Sequence, residues 1–491
     1  MRKSKIFFFA FVLMATAVYA DIRVNDDINK SWQGYPAIDC SNNGFGIAWQ
    51  YETSDSSKIF VQFYDSLSAG LGSNVEFLSD KYRSLPAIAH LADSTYLIVW
   101  AGEESSGWNI SGQKVFANGN YSGSVFQVND TSYNYCFAPA VASNHSGRHI
   151  VAWMGLTGGM SITGQVYDEN GAQVGANIVL SETLGIDPKV CMSPSGNFAV
   201  VWQGEDAEEG NILWRRFDST GTPIMVSSRV NARDVILDYA QPSIAVNDSG
   251  NYCIAWTRAT TSGAAIMAQF CDSSGAAIGA NIVVNQDTLI WGGHPTVVPA
   301  AGNRFVIGWT DERDWVDNYC QRFNNCNQPE GNNARISNAS AAGERYRQSL
   351  ALASIGSNIL GAWMDLRDSS MNWDIYERSI DYTSLGVADL PGYINNSLMN
   401  RLTTICWPNP CDGKFNIKCA TNIRQGNIKL SIYNSCGQII KTETIRVSNN
   451  EQNVFAWNGR NDAGKKVSQG VYFYKVSLED RTAFGRIILI R

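Results

Sequence analysis

The groups in this chain with the spacing to do chemistry are acids that follow a recurring tryptophan: Asp311 and Asp314 after Trp309, and Asp365 and Asp368 after Trp363. Both sets fall in the phrase Trp-x-Asp-x-Arg-Asp, with Arg313 or Arg367 between the acids. Paired carboxylates can divide acid and base roles in cleaving a glycosidic bond, or together hold a divalent cation. More acids follow the earlier tryptophans (Glu52, Asp55, Glu103, Glu104, Glu205, Asp206, Glu208, Glu209), interleaved with Lys58 and Arg258. A phrase duplicated in two units reads first as a repeated structural contact, and solvated charge is the default for loop acids. A second set is aromatic: Trp32, Tyr82, Tyr135, Tyr239, Trp291 and Tyr346 recur at one place in successive repeats. Such rings can stack on a sugar face or grip a peptide, or they can wedge between packed units.

Other chemistries find little support. The four histidines, His90, His145, His149 and His294, do not have the spacing of a zinc site. Nucleophile-elbow and phosphate-loop phrases are missing. Segments such as Asp168-Glu169-Asn170-Gly171 and Asp272-Ser273-Ser274-Gly275 look like pieces of calcium loops but lack the later ligands and distal Glu, so they read as tight turns. Neither metal nor cofactor is expected.

The elements that must position these groups are set by the tryptophans. Trp49, Trp100, Trp153, Trp202, Trp256, Trp309 and Trp363 stand 51, 53, 49, 54, 53 and 54 residues apart, a period suited to four-stranded propeller blades. A proline precedes each of the first six (Pro36, Pro86, Pro139, Pro188, Pro242, Pro295), with Ser349 in its place in the seventh, and is expected to open a first strand. An apolar run ending in tryptophan forms the second strand, as in Phe198-Ala199-Val200-Val201-Trp202. An alternating third strand and a turn ending in glycine follow, and the fourth strand ends in Val-Asn, as at Val128-Asn129 and Val284-Asn285. The seventh repeat lacks that last strand. Ile22-Arg23-Val24-Asn25-Asp26 carries its phrase at the other end of the chain, so the N-terminal strand is expected to close a seven-bladed ring and leave no exposed edge. The short turns then share one face and the long variable loops, with the acids and the aromatic collar, share the other.

Residues 1–20 carry Arg2, Lys3 and Lys5, an apolar run and the closing Val18-Tyr19-Ala20, the pattern of a secretory signal peptide cleaved near Ala20. The apolar run is too short to span a bilayer, and no later segment is long enough, so no transmembrane segment is expected. A formal charge of −7 without a basic tract argues against nucleic acid. The eleven cysteines are an odd number for an exported chain, leaving at least one free or paired between molecules. Cys320 and Cys326 are the expected local pair, Cys40 and Cys191 read as buried thiols, and Cys406, Cys411, Cys419 and Cys436 allow three pairings.

Residues 384–405 read as a linker between the propeller (21–383) and a unit of different pattern (406–491). The tail runs Trp407-Pro408-Asn409-Pro410, Ile428 to Asn434, Trp457-Asn458-Gly459-Arg460-Asn461, Gly470-Val471-Tyr472-Phe473-Tyr474 and a final apolar strand. This is a small sandwich of short strands. In those phrases and their order it resembles the C-terminal sorting domain of type IX secretion substrates, similar in fold to the immunoglobulin-like domain of flagellar hook-capping proteins. Cys411, after Asn-Pro, and Cys436, before a glycine, depart from the family pattern. The resemblance implies engagement by the type IX secretion machinery, export across an outer membrane and display at the surface.

The fold class expected is therefore all-β, a seven-bladed propeller followed by an immunoglobulin-like sandwich. The function expected is a secreted or cell-surface protein binding an extracellular glycan or protein through the long-loop face. The alternative is a hydrolase or lyase acting on carbohydrate through Asp311, Asp314, Asp365 or Asp368.

Overall fold

The computed structural model describes residues 21–26, 31–77, 82–104, 107–130, 135–156, 159–205, 211–232, 240–259, 263–286, 292–312, 316–324, 326–337, 346–367, 373–381, 402–407, 414–421, 426–434, 438–447, 453–478 and 481–489. Seven antiparallel four-stranded sheets follow one another: blades 1 to 6 at 32–77, 83–127, 136–179, 184–229, 243–283 and 292–335, and blade 7 at 347–381. Blade 7 takes its fourth strand from the N-terminus, where Ile22 pairs with Glu377 and Arg23 with Tyr376. The first strand of every blade touches the first strands of both neighbours around the full circle, so these strands form the inner ring. Each of the seven tryptophans is at most 1% exposed and sits in apolar packing between blades.

Five of the six prolines occupy a different place from the one the pattern implies. Pro36, Pro86, Pro139, Pro188 and Pro295 lie inside the first strands, at bulges, whereas Pro242 directly precedes the first strand of blade 5. In blade 1, Gly34 pairs with Gln50 and Ala37 with Ala48, so Tyr35 and Pro36 together oppose Trp49. The same two-against-one arrangement faces Trp100, Trp153, Trp202, Trp309 and Trp363. An unpaired bulge position requires no ladder donor, and proline has none to give. The residue before it is left-handed in every blade: Tyr35, Leu85, Ala138, Asp187, Gln241, His294 and Ser349 have φ between 44° and 56°. In blade 7, Ser349 is thus this left-handed residue, and Leu350 stands where the other blades have proline.

A clasp joins neighbouring blades. Asn177 of blade 3 donates to Gln165 Oε1 (2.6 Å), while its Oδ1 accepts from Asp130 N (2.6 Å), at the end of blade 2's last strand. Asn281 of blade 5 and Asn333 of blade 6 repeat this against Ala232 and Gln286. At the seam, Asn74 of blade 1 donates to Gln62 and accepts from Asp26 N at 2.9 Å. The N-terminal strand is therefore held by the same device as any internal fourth strand. The Val-Asn phrase has its own role: Asn25, Asn129, Asn231 and Asn285 each accept the backbone N–H of the third strand's isoleucine at 2.7–2.8 Å.

The C-terminal unit has a sheet of Leu402–Trp407, Phe415–Thr421 and Asn453–Trp457 facing a four-stranded sheet of residues 427–489. Its core includes Ile417, Ile428, Leu430, Phe455, Trp457, Tyr474 and Ile487. The first strand starts at Leu402, so residues 402–405 belong to the sheet and not to the linker. A pattern search misses them because Leu402-Thr403-Thr404-Ile405 carries no turn signal of its own.

Candidate functional site

Asp311 and Asp365 end the second strands of blades 6 and 7 at the long-loop face, and neither is exposed to solvent. Trp309 Nε1 donates to Asp311 Oδ2 at 3.0 Å, and Trp363 Nε1 donates to Asp365 Oδ2 at 3.1 Å. Asp365 also accepts from Arg347 Nε (2.9 Å) and Arg367 Nε (2.8 Å). Arg347, itself buried, reaches across to Asp317 of blade 6 at 2.8 Å. Arg367 extends in the other direction to Asp21 at 2.7 Å. This chain of charge ties blade 6, blade 7 and the closing strand together. Burial would raise the Asp365 carboxyl, but the hydrogen bond and charge of Arg367, with the charge of Arg347, hold it below the usual carboxylate range. Such a carboxylate stays ionised, and its acceptor positions are spent inside the blade. Asp314 and Asp368 lie outside the described residues.

Among the collar residues, Trp32, Tyr82, Tyr135 and Tyr346 are half-buried at the starts of innermost strands, and Tyr239 and Trp291 lie outside the described residues. Trp32 packs edge-to-face on Tyr35 (5.4 Å between centroids) and lies 6.1 Å from Phe473 of the C-terminal unit. Tyr135 bridges to Trp108 of blade 2, and Tyr346 to Val316 of blade 6, so both straddle a blade boundary. The backbone carbonyls of Tyr82 and Tyr135 accept N–H groups from the ends of their own second strands, at 2.9 and 3.0 Å. The gap between Tyr135, Phe137, Val471 and Leu489 holds only about 30 Å³.

The structure also brings forward groups that the spacing alone does not single out. Glu52, paired in register with Trp32, is 7% exposed; one oxygen accepts from Gln50 at 3.3 Å and the other has no partner. Burial pushes this carboxyl up to about 8, so it is a neutral acid at pH 7. His90 and His145, 55 residues apart, meet at 3.1 Å through their Nδ1 atoms across blades 2 and 3. His149 stacks on Tyr167, and burial lowers its imidazole to about 4. A cavity of about 440 Å³ between blades 4 and 5 is bounded by Trp256, Arg258 and Asn231. Among the described residues, no three His, Cys, Asp or Glu side chains come together as a metal site.

The aspartates of the tight turns satisfy their own backbone. Asp168 Oδ1 accepts from Asn170 N and Ala172 N at 2.9 and 2.8 Å, and Gly171 takes φ +79°. The expected bond between Cys320 and Cys326 does not form: neither is in a disulfide, Cys320 facing the core between blades 6 and 7 while Cys326 is exposed in a turn. Strand alternation sends Cys320 inward before the chain reaches that turn. Cys40 and Cys191 are free thiols, and burial pushes Cys191 up to about 12. Cys419 is free and buried, the side chain of Cys406 is not described, and Cys411 and Cys436 lie outside the described residues.

Residues 411–482 match the FlgD Ig-like domain family, in agreement with the two facing sheets. Among solved structures, the chain is similar to the β-propeller domain of the Trilobed protease from Pyrococcus furiosus, with 8% identity, 74% of this chain and 100% of that one covered, and a TM-score of 0.44. It is similar to polysaccharide lyase Uly1 (10% identity, 70% and 89% covered, TM-score 0.46) and to a fungal alcohol oxidase of the AA5 family in complex with copper (12%, 96% and 99%, 0.45). No curated protein matches the chain. The seven blades and the matched domain define an all-β chain, a seven-bladed propeller joined to an immunoglobulin-like domain.

Proposed function

We propose that this chain is a secreted or surface-displayed binding protein whose propeller holds an extracellular glycan or protein on its long-loop face. Residues 406–491 serve in this reading as a type IX sorting domain, and residues 1–20 are removed after Ala20. The observation that carries a binding role is the state of the acids: Asp311 and Asp365 are buried and bonded to their own tryptophans, and Asp365 is also held by Arg347 and Arg367. Carboxylates buried and engaged in this way stabilise their blades and are out of reach of a substrate. A glycan array probed with residues 21–491, with mass spectrometry of the incubated glycans, tests the proposal. Capture with unchanged glycan mass supports it; a cleaved product refutes it in favour of an enzyme.

The hydrolase or lyase alternative draws on one specific observation. Glu52 is a neutral carboxylic acid at the loop face beside Trp32, and a general acid needs that protonation state. If glycans are cleaved, Glu52→Gln is expected to abolish turnover.

A further inference from the structure

The position two residues after each repeat tryptophan holds Tyr51, Gly102, Gly155, Gly204, Arg258, Asp311 and Asp365. In blades 6 and 7 the aspartate there closes on the tryptophan's indole N–H. Blade 5 puts a cation in the same place, next to buried Trp256. Arg258 is half-buried, and its Nε is buried without a hydrogen-bond partner. Among the described residues it has neither a carboxylate nor a carbonyl within reach. Its counterparts in the propeller do: Arg148 pairs with Glu169, Arg215 with Glu182, Arg304 with Glu330, Arg347 with Asp317 and Asp365, and Arg378 with Asp21. The guanidinium is half-exposed at the cavity with its Nε desolvated and unpartnered, so an anion entering the cavity meets a cation that no side chain among the described residues neutralises.

The surroundings define which anion. Arg258 lines the cavity of about 440 Å³ between the end of blade 4's last strand and blade 5. The amides in its wall are occupied by the blade clasp: Asn281 donates to Gln269 and to the Val230 carbonyl and accepts from Ala232 N, while Asn231 accepts from Ile212 N. Arg258 is therefore the wall's uncommitted charged group, and Val230 and Ala280 supply an accessible apolar surface over the buried Trp256 and Met267. The planar fork of an arginine matches a carboxylate or sulfate in two parallel hydrogen bonds. A volume of this size suits one or two sugar rings, whose C–H faces pack on apolar and aromatic walls.

We infer that the cavity between blades 4 and 5 is a binding site for an anionic sugar, with Arg258 gripping its oxyanion and Val230 and Ala280 beside the ring. This rests on the glycan reading of the loop face and narrows it to acidic glycans. The oxyanion can be the carboxylate of a uronic acid or a sulfate ester, two sources of the same chemistry.

The test is isothermal titration of residues 21–491 with three oligosaccharides: one containing glucuronic acid, its carboxyl-reduced neutral counterpart, and a sulfated neutral oligosaccharide. Arg258→Gln and Arg258→Lys are titrated alongside, with circular dichroism and Tm to show that both fold. The expected result is binding of at least one anionic sugar at least tenfold tighter than the neutral one. That margin should vanish in Arg258→Gln, persist in part in Arg258→Lys and shrink as salt rises. Preference for the uronate names the carboxylate as the ligand group; preference for the sulfated sugar names the sulfate. Equal binding of acidic and neutral sugars, or an unchanged margin in Arg258→Gln, overturns this site while leaving glycan binding standing. Absence of binding by all three, with glycans captured on the array, also overturns it; silence on the array as well removes the glycan reading itself.

Discussion

Replacing Glu377 with Gln should make the propeller more stable as pH rises, because this carboxyl is buried at the seam where the ring closes. Glu377 pairs in register with Ile22 of the closing strand, is not exposed, and neither of its oxygens has a hydrogen-bond partner. The equivalent positions of the other blades carry Val61, Gly112, Gly164, Trp214, Ala268 and Cys320, none of them ionisable near neutral pH, since burial pushes the Cys320 thiol up to about 12. Burial first, and then the charge of Asp21, push the Glu377 carboxyl from an ordinary 4.5 up to about 8. Tyr64 of blade 1 faces it, while Arg367 and Arg378 are committed to Asp21. A carboxyl whose folded value is raised contributes fully below its unfolded value, and that contribution is lost as pH climbs toward 8. At 1.36 kcal/mol per unit, the loss between pH 5 and pH 8 is roughly 3 kcal/mol once partial relaxation of the site is allowed for. Urea midpoints of Glu377→Gln and the native chain should therefore nearly coincide at pH 5 and separate at pH 8, with the variant higher. Glu52 titrates alike in both proteins and cancels. A difference that is the same at both pH values, or that favours the native chain more at pH 8, would refute the reasoning.

Asp365→Ala should destabilise the propeller by about 3 kcal/mol, because it removes the buried carboxylate shared by Arg347 and Arg367 and leaves Arg347 with Asp317 alone; thermal unfolding checks it. Asn74→Ala should cost about 1–3 kcal/mol by freeing the closing strand's end, and should speed hydrogen exchange at residues 22–26 more than elsewhere. In thiol labelling of the native protein followed by mass spectrometry, Cys326 should react at once, whereas Cys191, Cys253 and Cys320 should react only on unfolding. In a host with the type IX machinery, the exported protein should begin at Asp21, and removal of residues 406–491 should leave it inside the outer membrane; surface display of the truncated chain would count against the sorting role.

Much of the architecture is legible because each blade repeats it. The tryptophan period, repeated seven times, counts the blades, and the Val24-Asn25 phrase, shared with three internal fourth strands, locates the closing strand. The bulge opposite each tryptophan is not legible. Nothing in Tyr35-Pro36 or Asp187-Pro188 announces a left-handed residue, and only pairing against the second strand reveals it. Contacts between blades are equally hidden: His90 and His145 are 55 residues apart, and Arg347 meets Asp317 and Asp365 from three different strands. Cys320 and Cys326 show the same limit from the other side, since proximity in sequence says little about which way a strand points its side chains. For the candidate site, composition identifies the acids and aromatics of the loop face. Whether a carboxylate is spent, as Asp365 is, or left without a partner, as one oxygen of Glu52 is, depends on packing.

The most direct test of the binding proposal is hydrogen–deuterium exchange of residues 21–491, with and without the best ligand from the glycan array. The account predicts slowed exchange in the long-loop segments after the tryptophans, around residues 52–57, 257–264 and 311–317, with the short turns at 168–171, 218–221 and 272–275 unchanged. Protection confined to the short turns, or to residues 402–489, would contradict it.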